Sequence, residues 1–496
     1  MKSQLVVGID SSTTATKAIA WDHDGHKIAE GTGPIRLFTP APDYYEQDSE
    51  DWWNSMVEAL RKLLQNIDNN RITAISIANQ RETFVGLDKY GKPVRPAIIW
   101  LDERCKGNVD RFASDIGENF IHQVTGKPKD YAPVVYRLAW MLENERDLYK
   151  SVSRFCDVQS YLVYRLTGNY KTSWASADPL GILDLEKKEW AGDILSRLEI
   201  TPGNLPEIYS PGVVLGIITK AAACATGLKE GTKVVAGGGD GQAAGLGVNA
   251  LRSERAYLNL GTAVVSGTYS RKYRTYRSFR TMSSCDGVGY YYETSLRSGT
   301  FLLDWFIRNV LKINPAGNKS IYSLLEEEAR QVEAGCQGLM ILPYWNAVMN
   351  PYWDPGARGC MIGLSSRHHR GHLYRALLEG IAMEQSLATQ AVEQATGDKT
   401  EEYAVIGGGA KSDLWCQIIA DISGTKIVRM VSDEASSLGA GITAAVAAGW
   451  FRSFEDAANN MVRPDRVILP NSGFSDQYRE LLLKYRQIYP AIRDIR

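Results

Sequence analysis

The stretch that most limits the folds open to this chain is residues 232–247, where a single acid lies among glycines. Residues 232–236 form a short β-branched run that is typical of a buried strand. Three glycines, Asp240 and Gly241 follow, and then an Ala/Gly-rich run that can form a close-packed helix. Because open α/β sheets bind ligands at the carboxyl ends of their strands, the pattern predicts Asp240 at a binding site, with the glycines letting a substrate approach the backbone. The alternative is a glycine-rich turn with a solvated acid.

A polar turn near the start of the chain indicates a phosphate site. Residues 5–9 and 18–21 read as strands, and the residues between them include Asp10, the four hydroxyl side chains of residues 11–14, and Lys17. Hydroxyls and backbone amides in a tight turn suit phosphate oxygens, Lys17 adds positive charge, and Asp10 could hold Mg²⁺. The alternative is an ordinary polar hairpin turn.

A second hairpin and a later glycine turn repeat this design. Residues 255–268 read as a hairpin with Gly261 and Thr262 at its turn, which hints at a duplicated core with one phosphate-binding turn in each half. Residues 403–406 form an apolar strand that leads into three glycines and a helix from residue 414, a pattern typical of an anion or nucleotide site. Neither a GxGxxG nor a GxxxxGK[ST] fingerprint occurs at these turns, which argues against Rossmann and P-loop folds.

Arg81 and Glu82 follow the strand predicted at residues 71–78. The guanidinium donates hydrogen bonds and the carboxylate accepts them, so the pair could bind hydroxyl groups. The alternative is a surface ion pair worth about 0–1 kcal/mol.

Several other segments have clear local signals. We predict helices at residues 49–66, capped by Ser49, at residues 134–144, and at residues 159–166, the last stopping at Gly168. Residues 205–216 hold two prolines and two glycines and are predicted to be a connector.

Composition excludes some partners and gives a default location. The net charge of -1 provides no electrostatic drive toward nucleic acid or an anionic membrane, and no apolar run approaches the roughly 18 residues that span a bilayer. The seven scattered cysteines argue against a disulfide framework or a zinc site. The first residues lead into a strand and lack the pattern of a signal peptide. We therefore expect a cytoplasmic protein with no nucleic-acid or membrane partner; a homodimer is left open.

Taken together, these segments resemble the FGGY family of carbohydrate kinases over essentially the whole chain. The likeness is carried by four motifs in the family's order: the turn from Gly8 to Lys17, the loop from Gly237 to Gly241, the segment from Gly359 to Gly380, and the turn from Gly407 to Ser412. The resemblance implies an α/β fold of two actin-like (RNase H-like) domains, a duplicated core with an interdomain cleft. The expected division is residues 1–247 for sugar binding and the catalytic base, and residues 248–496 for nucleotide binding.

The resemblance also implies roles for individual residues, with ATP and Mg²⁺ as cofactors. Asp240 would be the general base that takes the proton from the substrate hydroxyl, and Asp10 and Asp240 would lie at Mg²⁺. Arg81, Glu82, Tyr131, Asp240 and Gln242 would bind the substrate. Residues expected around the nucleotide are Thr13, Thr14, Lys17, Gly261, Thr262, Thr300, Asp304, Gly409 and Asp413.

The substrate expected from these motifs is a small ketose or polyol, phosphorylated at a primary hydroxyl, with a pentulose first as in xylulokinases. Residues 79–83, Asn-Gln-Arg-Glu-Thr, instead resemble the pocket motif of glycerol kinases, so glycerol or another polyol is the alternative. Val265 stands where glycerol kinases carry an aromatic residue, which leaves room for a longer acceptor. The family's N-terminal motif, near residues 131–144, is matched imperfectly: its lysine either is replaced by Arg137 or is displaced. A non-catalytic sugar-binding regulator and an actin-like ATPase are the remaining alternatives.

Overall fold

The structure is a computed structural model that describes residues 4–315 and 320–495. Residues 1–3, on which the expectation about a signal peptide partly rests, lie outside the described residues. Within the described ranges, no helix is both long and apolar enough to cross a membrane.

The first half of the chain contains one large sheet and, within the described residues, three smaller sheets. Its strands are β1 (Leu5–Ser11), β2 (Ala15–Trp21), β3 (Lys27–Pro34), β4 (Glu46–Gln47), β5 (Ile72–Asn79), β6 (Phe84–Leu87), β7 (Ala97–Ile98), β8 (Arg154–Asp157), β9 (Lys171–Ser173), β10 (Leu183–Asp184), β11 (Glu189–Trp190), β12 (Glu207–Tyr209), β13 (Val214–Ile217) and β14 (Lys233–Gly239). Its helices are α1 (Ser49–Leu64), α2 (Val109–Ile116), α3 (Glu118–Thr125), α4 (Val134–Asn144), α5 (Arg146–Ser151), α6 (Val158–Thr167), α7 (Trp174–Ala177), α8 (Gly192–Arg197), α9 (Lys220–Thr226) and α10 (Asp240–Gly247).

The second half contains another large sheet and, within the described residues, one two-stranded sheet formed by residues 340–342 and 360–362. Its strands are β15 (Arg255–Leu260), β16 (Val264–Ser270), β17 (Arg280–Ser283), β18 (Tyr290–Leu296), β19 (Met340–Leu342), β20 (Cys360–Ile362), β21 (Glu402–Ile406), β22 (Lys426–Met430) and β23 (Pro464–Ile468). Its helices are α11 (Thr300–Trp305), α12 (Ser320–Arg330), α13 (Arg370–Thr396), α14 (Asp413–Ser423), α15 (Ala435–Ala447), α16 (Phe454–Met461), α17 (Ser475–Tyr485) and α18 (Ile488–Ile492).

The two large sheets share one topology. The first has the order β13-β14-β5-β1-β2-β3, and the second has the order β17-β18-β16-β15-β21-β22-β23. In each, three antiparallel strands (β3-β2-β1 and β18-β16-β15) continue into two parallel ones (β5-β14 and β21-β22). The repeated order and strand directions confirm the duplicated core that the two hairpins indicated.

Helices α10 and α15 pack tightly together between the two sheets. A Cβ at Gly439 of α15 would lie 1.9 Å from Ala243 O of α10, and a Cβ at Gly8 of β1 would lie 1.8 Å from Ser437 O of α15. Only glycine allows backbones to approach this closely. Ser437 Oγ also donates a 2.9 Å hydrogen bond to Gly8 O, so a helix from the second half is fixed to the first sheet.

Most predicted elements are present, with corrected ends. Helix α4 has the predicted bounds, and α6 stops at Gly168, which has the left-handed backbone that favours glycine. The cap of α1 is Asp48 and not Ser49, because the Asp48 side chain accepts from Glu50 N. The connector predicted at residues 205–216 is wrong: its short apolar runs form β12 and the start of β13, despite the prolines and glycines between them.

Candidate active site

Asp240 lies at the junction of β14 and α10, at the carboxyl end of a parallel strand. The strand continues through the three glycines, and the helix begins at Asp240 itself. A Cβ at Gly237 would lie 2.1 Å from Ile77 O, and one at Gly238 would lie 2.5 Å from Cys285 Sγ. For Gly237 and Gly238, the expectation that glycine makes room for a substrate is therefore wrong, because atoms of the protein fill that space.

One oxygen of Asp240 is held and the other is free to react. Oδ1 accepts from Gly241 N at 2.7 Å and lies 3.2 Å from Arg81 Nε, whereas no hydrogen bond within the described residues reaches Oδ2. The side chain remains 39% exposed. Burial within the site raises the pKa of Asp240 above its ordinary value, against the opposing effects of Arg81 and the Gly241 amide. A fixed carboxylate with one free oxygen and a raised pKa suits a general base.

Arg81 and Glu82 lie beside Asp240 but do not pair with each other. Arg81 Nη1 donates to Glu293 Oε2 at 2.7 Å, and Arg280 Nη1 donates to Glu82 Oε1 at 2.9 Å. The side chains of Arg81 and Glu82 are only 10% and 8% exposed, so the alternative of a surface ion pair is wrong. Glu82 has a left-handed backbone with φ of 46°, a conformation that costs energy for a non-glycine residue.

Asp10 has the properties of a cation ligand. Its Oδ1 is buried and has no hydrogen-bond partner within the described residues. Burial raises the pKa of Asp10 to about 7, repulsion from Asp240 and Glu434 adds to this effect, and Lys17 partly offsets it. Lys17 itself forms an ion pair with Glu434, just before α15. An orphaned carboxylate oxygen in a negatively charged site fits a hard cation such as Mg²⁺.

The two predicted phosphate turns each present an exposed threonine. In the first turn, Thr14 is exposed, while Thr13 Oγ1 accepts from Trp100 Nε1 at 2.8 Å. In the second turn, Thr262 is exposed, and Gly261 O accepts from Thr300 N at 2.8 Å. The structure thus brings Gly261 and Thr262 together with the first residue of α11.

The two residues expected beside the adenosine, Gly409 and Asp413, both contact other parts of the protein. Gly409 is buried, and a Cβ there would lie 2.4 Å from the Trp415 ring, whereas the neighbouring Gly408 is exposed. Asp413 accepts from Arg429 at 2.9 Å and from Arg466 at 2.8 Å. These arginines lower the pKa of Asp413 although partial burial acts to raise it.

Three further predicted residues have protein partners. Tyr131 donates to Glu103 Oε1 at 3.0 Å and accepts from Arg297 of the second half. Gln242 is fully buried and donates from Nε2 to Ala175 O at 2.9 Å. Asp304, in α11, accepts from the Tyr322 hydroxyl.

Sequence reasoning missed Glu293, Arg280 and Glu434, although all three contact predicted site residues. Glu293 is an acid within the aromatic-rich strand β18. An acid at the centre of such a buried run indicates a paired charge, because acids are almost never fully buried without a partner.

The fold and the site define a class of protein. Two duplicated actin-like halves, a poised carboxylate and two threonine-bearing turns are the arrangement of a phosphotransferase that acts on a small hydroxyl compound.

Comparisons with known proteins give the family. Residues 5–247 match the N-terminal domain and residues 256–448 the C-terminal domain of the FGGY family of carbohydrate kinases. The xylulose kinase of Bacillus subtilis is 30% identical over 99% of this chain and 97% of its own. The ligand-bound xylulose kinase structure from Lactobacillus acidophilus superposes with a TM-score of 0.93, at 26% identity over 99% of this chain and 98% of that one. A gluconate kinase structure from the same organism gives a TM-score of 0.92, at 26% identity and the same coverage.

This chain belongs to the FGGY family of carbohydrate kinases. It is an ATP-dependent sugar kinase with the two-domain actin-like fold, as the sequence motifs implied. The alternatives of a non-catalytic regulator and an actin-like ATPase are thereby set aside.

Proposed function

We propose that this enzyme transfers the γ-phosphate of ATP to a primary hydroxyl of a pentulose, with xylulose as the first candidate. The observation that carries the proposal is the position of Asp240, whose Oδ1 is fixed while Oδ2 is free beside Arg81. Similarity to xylulose kinases over nearly the whole chain supports the choice of sugar.

In the proposed reaction, Asp240 Oδ2 accepts the proton of the sugar hydroxyl while the hydroxyl oxygen forms a bond to the γ-phosphorus. The bond from the γ-phosphorus to the β,γ-bridging oxygen breaks, and ADP leaves. Phosphoryl transfer depends mainly on positioning and charge stabilisation, so the roles of Arg81 and Glu82 are to bind and orient the sugar. Asp10 and Asp240 would hold Mg²⁺, which when bound supplies positive charge to the phosphates.

The nucleotide would lie across the two halves. Thr13, Thr14 and Lys17 of the first turn and Gly261 and Thr262 of the second are proposed to surround the β- and γ-phosphates. Thr300 and Asp304 are proposed on the α-phosphate side, and Gly409 and Asp413 beside the adenosine. We further propose the division into residues 1–247 and 248–496. Two expectations from the sequence remain predictions: a cytoplasmic location, and no nucleic-acid or membrane partner. Whether the protein forms a homodimer stays open.

Glycerol or another polyol is the second candidate, since the Arg81-Glu82 motif resembles that of glycerol kinases. Glycerol and gluconate kinases are also among the relatives of this chain. Val265, which lies in β16 opposite Ser295, is smaller than the aromatic residue of the glycerol kinases. A longer acceptor than glycerol therefore fits better, which is why the pentulose stands first.

The test is ADP release by the purified protein with ATP and Mg²⁺ across an acceptor panel. The panel holds D- and L-xylulose, D- and L-ribulose, L-fuculose, glycerol, erythritol, gluconate and a linear dihydroxy-pentanedione. We expect the highest kcat/KM with a xylulose. A glycerol or gluconate value at least tenfold above every pentulose would refute the proposed substrate.

A further inference from the structure

Four buried side chains of alternating charge, two from each half of the chain, form a row of ion pairs beside the proposed base. Arg81 and Glu82 come from the first half, and Glu293 and Arg280 come from β18 and β17 of the second half. Arg81 pairs with Glu293, Glu293 pairs with Arg280, and Arg280 pairs with Glu82. We refer to these four side chains as the charge square.

Glu293 is the centre of the charge square. Its side chain is fully buried, and its two oxygens accept from Arg81 Nη1 at 2.7 Å, Arg280 Nε at 2.7 Å and the Tyr257 hydroxyl at 2.6 Å. Although burial acts to raise it, the two arginines lower the pKa of Glu293 to about 2, so this carboxylate stays ionised. A buried charge with three charge-assisted or polar partners has one well-defined position.

The square leaves part of each predicted sugar-binding side chain available. Nη1 of Arg81 is directed to Glu293 and Nε to Asp240, while no hydrogen bond within the described residues engages Nη2. Arg280 binds Oε1 of Glu82, and within the same residues Oε2 has no partner. Arg280 and Glu293 therefore select which atoms of Arg81 and Glu82 can reach a sugar.

We propose that Glu293 and Arg280 are positioning residues for sugar binding, acting through Arg81 and Glu82 from the opposite half of the molecule. This proposal rests on the proposed function of Arg81 and Glu82. Without the Glu293 charge, the Arg81 guanidinium can turn to form a two-bond pair with Asp240, which would withdraw it from the sugar. If the proposal is right, the affinity for the sugar depends on these contacts between the two halves. The affinity for ATP does not depend on the charge square.

The test compares Glu293→Gln with the wild-type enzyme on the sugar that the wild type phosphorylates best. We expect the sugar KM to rise about tenfold or more, because a charge-assisted hydrogen bond is lost, while the KM for ATP stays within about twofold. Arg280→Lys should give a smaller rise of the same kind, and it serves as the second variant if Glu293→Gln does not fold.

Two controls separate positioning from general destabilisation. Glu402→Gln removes a buried carboxylate that pairs with Lys426 at 2.7 Å in the same sheet, at the end of β21 away from the Gly407 turn, and it should leave the sugar KM unchanged. In an Arg81→Ala background, Glu293→Gln should add no further rise in sugar KM, because Glu293 acts through Arg81. Additive effects, or equal rises in the KM values for sugar and ATP, would overturn the proposal.

A crystal structure of the Glu293→Gln variant tests the positioning role of Glu293 without a bound sugar. We expect the Arg81 guanidinium to have turned toward Asp240, and an unmoved Arg81 would overturn the proposal. If the wild-type enzyme phosphorylates none of the panel sugars, the proposed function has failed. The position of Arg81 in this crystal structure still decides the positioning role.

Discussion

Glu384 gives the sharpest prediction about stability, because it is a buried acid that forms no ion pair within the described residues. It lies in α13, where Oε1 accepts from the Tyr344 hydroxyl at 2.6 Å and Oε2 lies 3.1 Å from the Tyr485 hydroxyl. Burial raises the pKa of Glu384 from an ordinary 4.5 to about 7, partly offset by the two tyrosines. The Tyr485 oxygen is also 3.3 Å from Gly380 O, so a protonated Glu384 can donate to Tyr485 while Tyr485 donates to that carbonyl.

The sign and size follow from proton linkage. The folded state binds the Glu384 proton more tightly than the unfolded state does. The contribution of this bound proton to the free energy of unfolding is therefore fully present below pH 4.5 and is lost as the pH rises through about 7. At 1.36 kcal/mol for each pH unit, the wild type should lose about 2 kcal/mol from this group between pH 5.5 and pH 8. The Glu384→Gln variant keeps the shape of the side chain and has no proton to lose.

The measurement is the free energy of unfolding by urea, followed by tyrosine and tryptophan fluorescence, for wild type and Glu384→Gln at both pH values. The stability of the variant relative to wild type should improve by about 2 kcal/mol from pH 5.5 to pH 8. Glu402→Gln is the matched control: the cations around Glu402 hold its pKa below the ordinary value despite partial burial, so its difference from wild type should be flat over this range. A difference for Glu384→Gln that does not change with pH would refute the reasoning.

Three further predictions concern the reaction. Asp240→Asn should lower kcat by about 10²–10⁴-fold because the base is lost, while ATP binding measured by calorimetry is retained; activity near wild type would contradict the assignment. Arg81→Ala should raise the sugar KM about ten- to a hundredfold and leave the KM for ATP nearly unchanged in steady-state assays, and equal effects on both would place Arg81 outside the sugar pocket. EDTA should abolish turnover and Mg²⁺ should restore it, and Asp10→Asn should raise the Mg²⁺ concentration for half-maximal rate; an unchanged requirement would remove Asp10 from the metal site.

The parts of the fold that the sequence predicted are those set by local patterns. The bounds of α4 follow from helical periodicity, and the end of α6 follows from Gly168. The two hairpins were recognisable because an apolar strand, a Gly/Thr turn and a second strand occupy neighbouring residues. The turn residues alone gave the wrong answer at residues 205–216, where pairing of β12 with β9 and of β13 with β14 outweighs the local preference for a connector.

The parts that could not be predicted are contacts between distant residues. Glu293 lies 212 positions from Arg81, and Arg280 lies 198 positions from Glu82, so no local pattern couples them. The role of the glycines before Asp240 was misjudged for the same reason. A glycine shows where atoms come close, but Cys285, which fills the space at Gly238, belongs to the other half of the chain.

Under the proposed positioning role, the charge square gives a physical reason why the Asn-Gln-Arg-Glu-Thr motif does not by itself identify the sugar. The motif supplies Arg81 and Glu82, but Glu293 engages Nη1 of Arg81 and Arg280 engages Oε1 of Glu82, and under the proposal the remaining atoms bind the sugar. Two enzymes can therefore share this motif and present different hydrogen-bonding groups, if the residues opposite differ. In this chain a motif that resembles that of glycerol kinases stands in a protein that is similar to xylulose kinases over nearly its whole length. If Arg81 and Glu82 bind the sugar as proposed, substrate choice depends on the contact between the halves, and a comparison of Glu293 and Arg280 variants across the acceptor panel tests this directly.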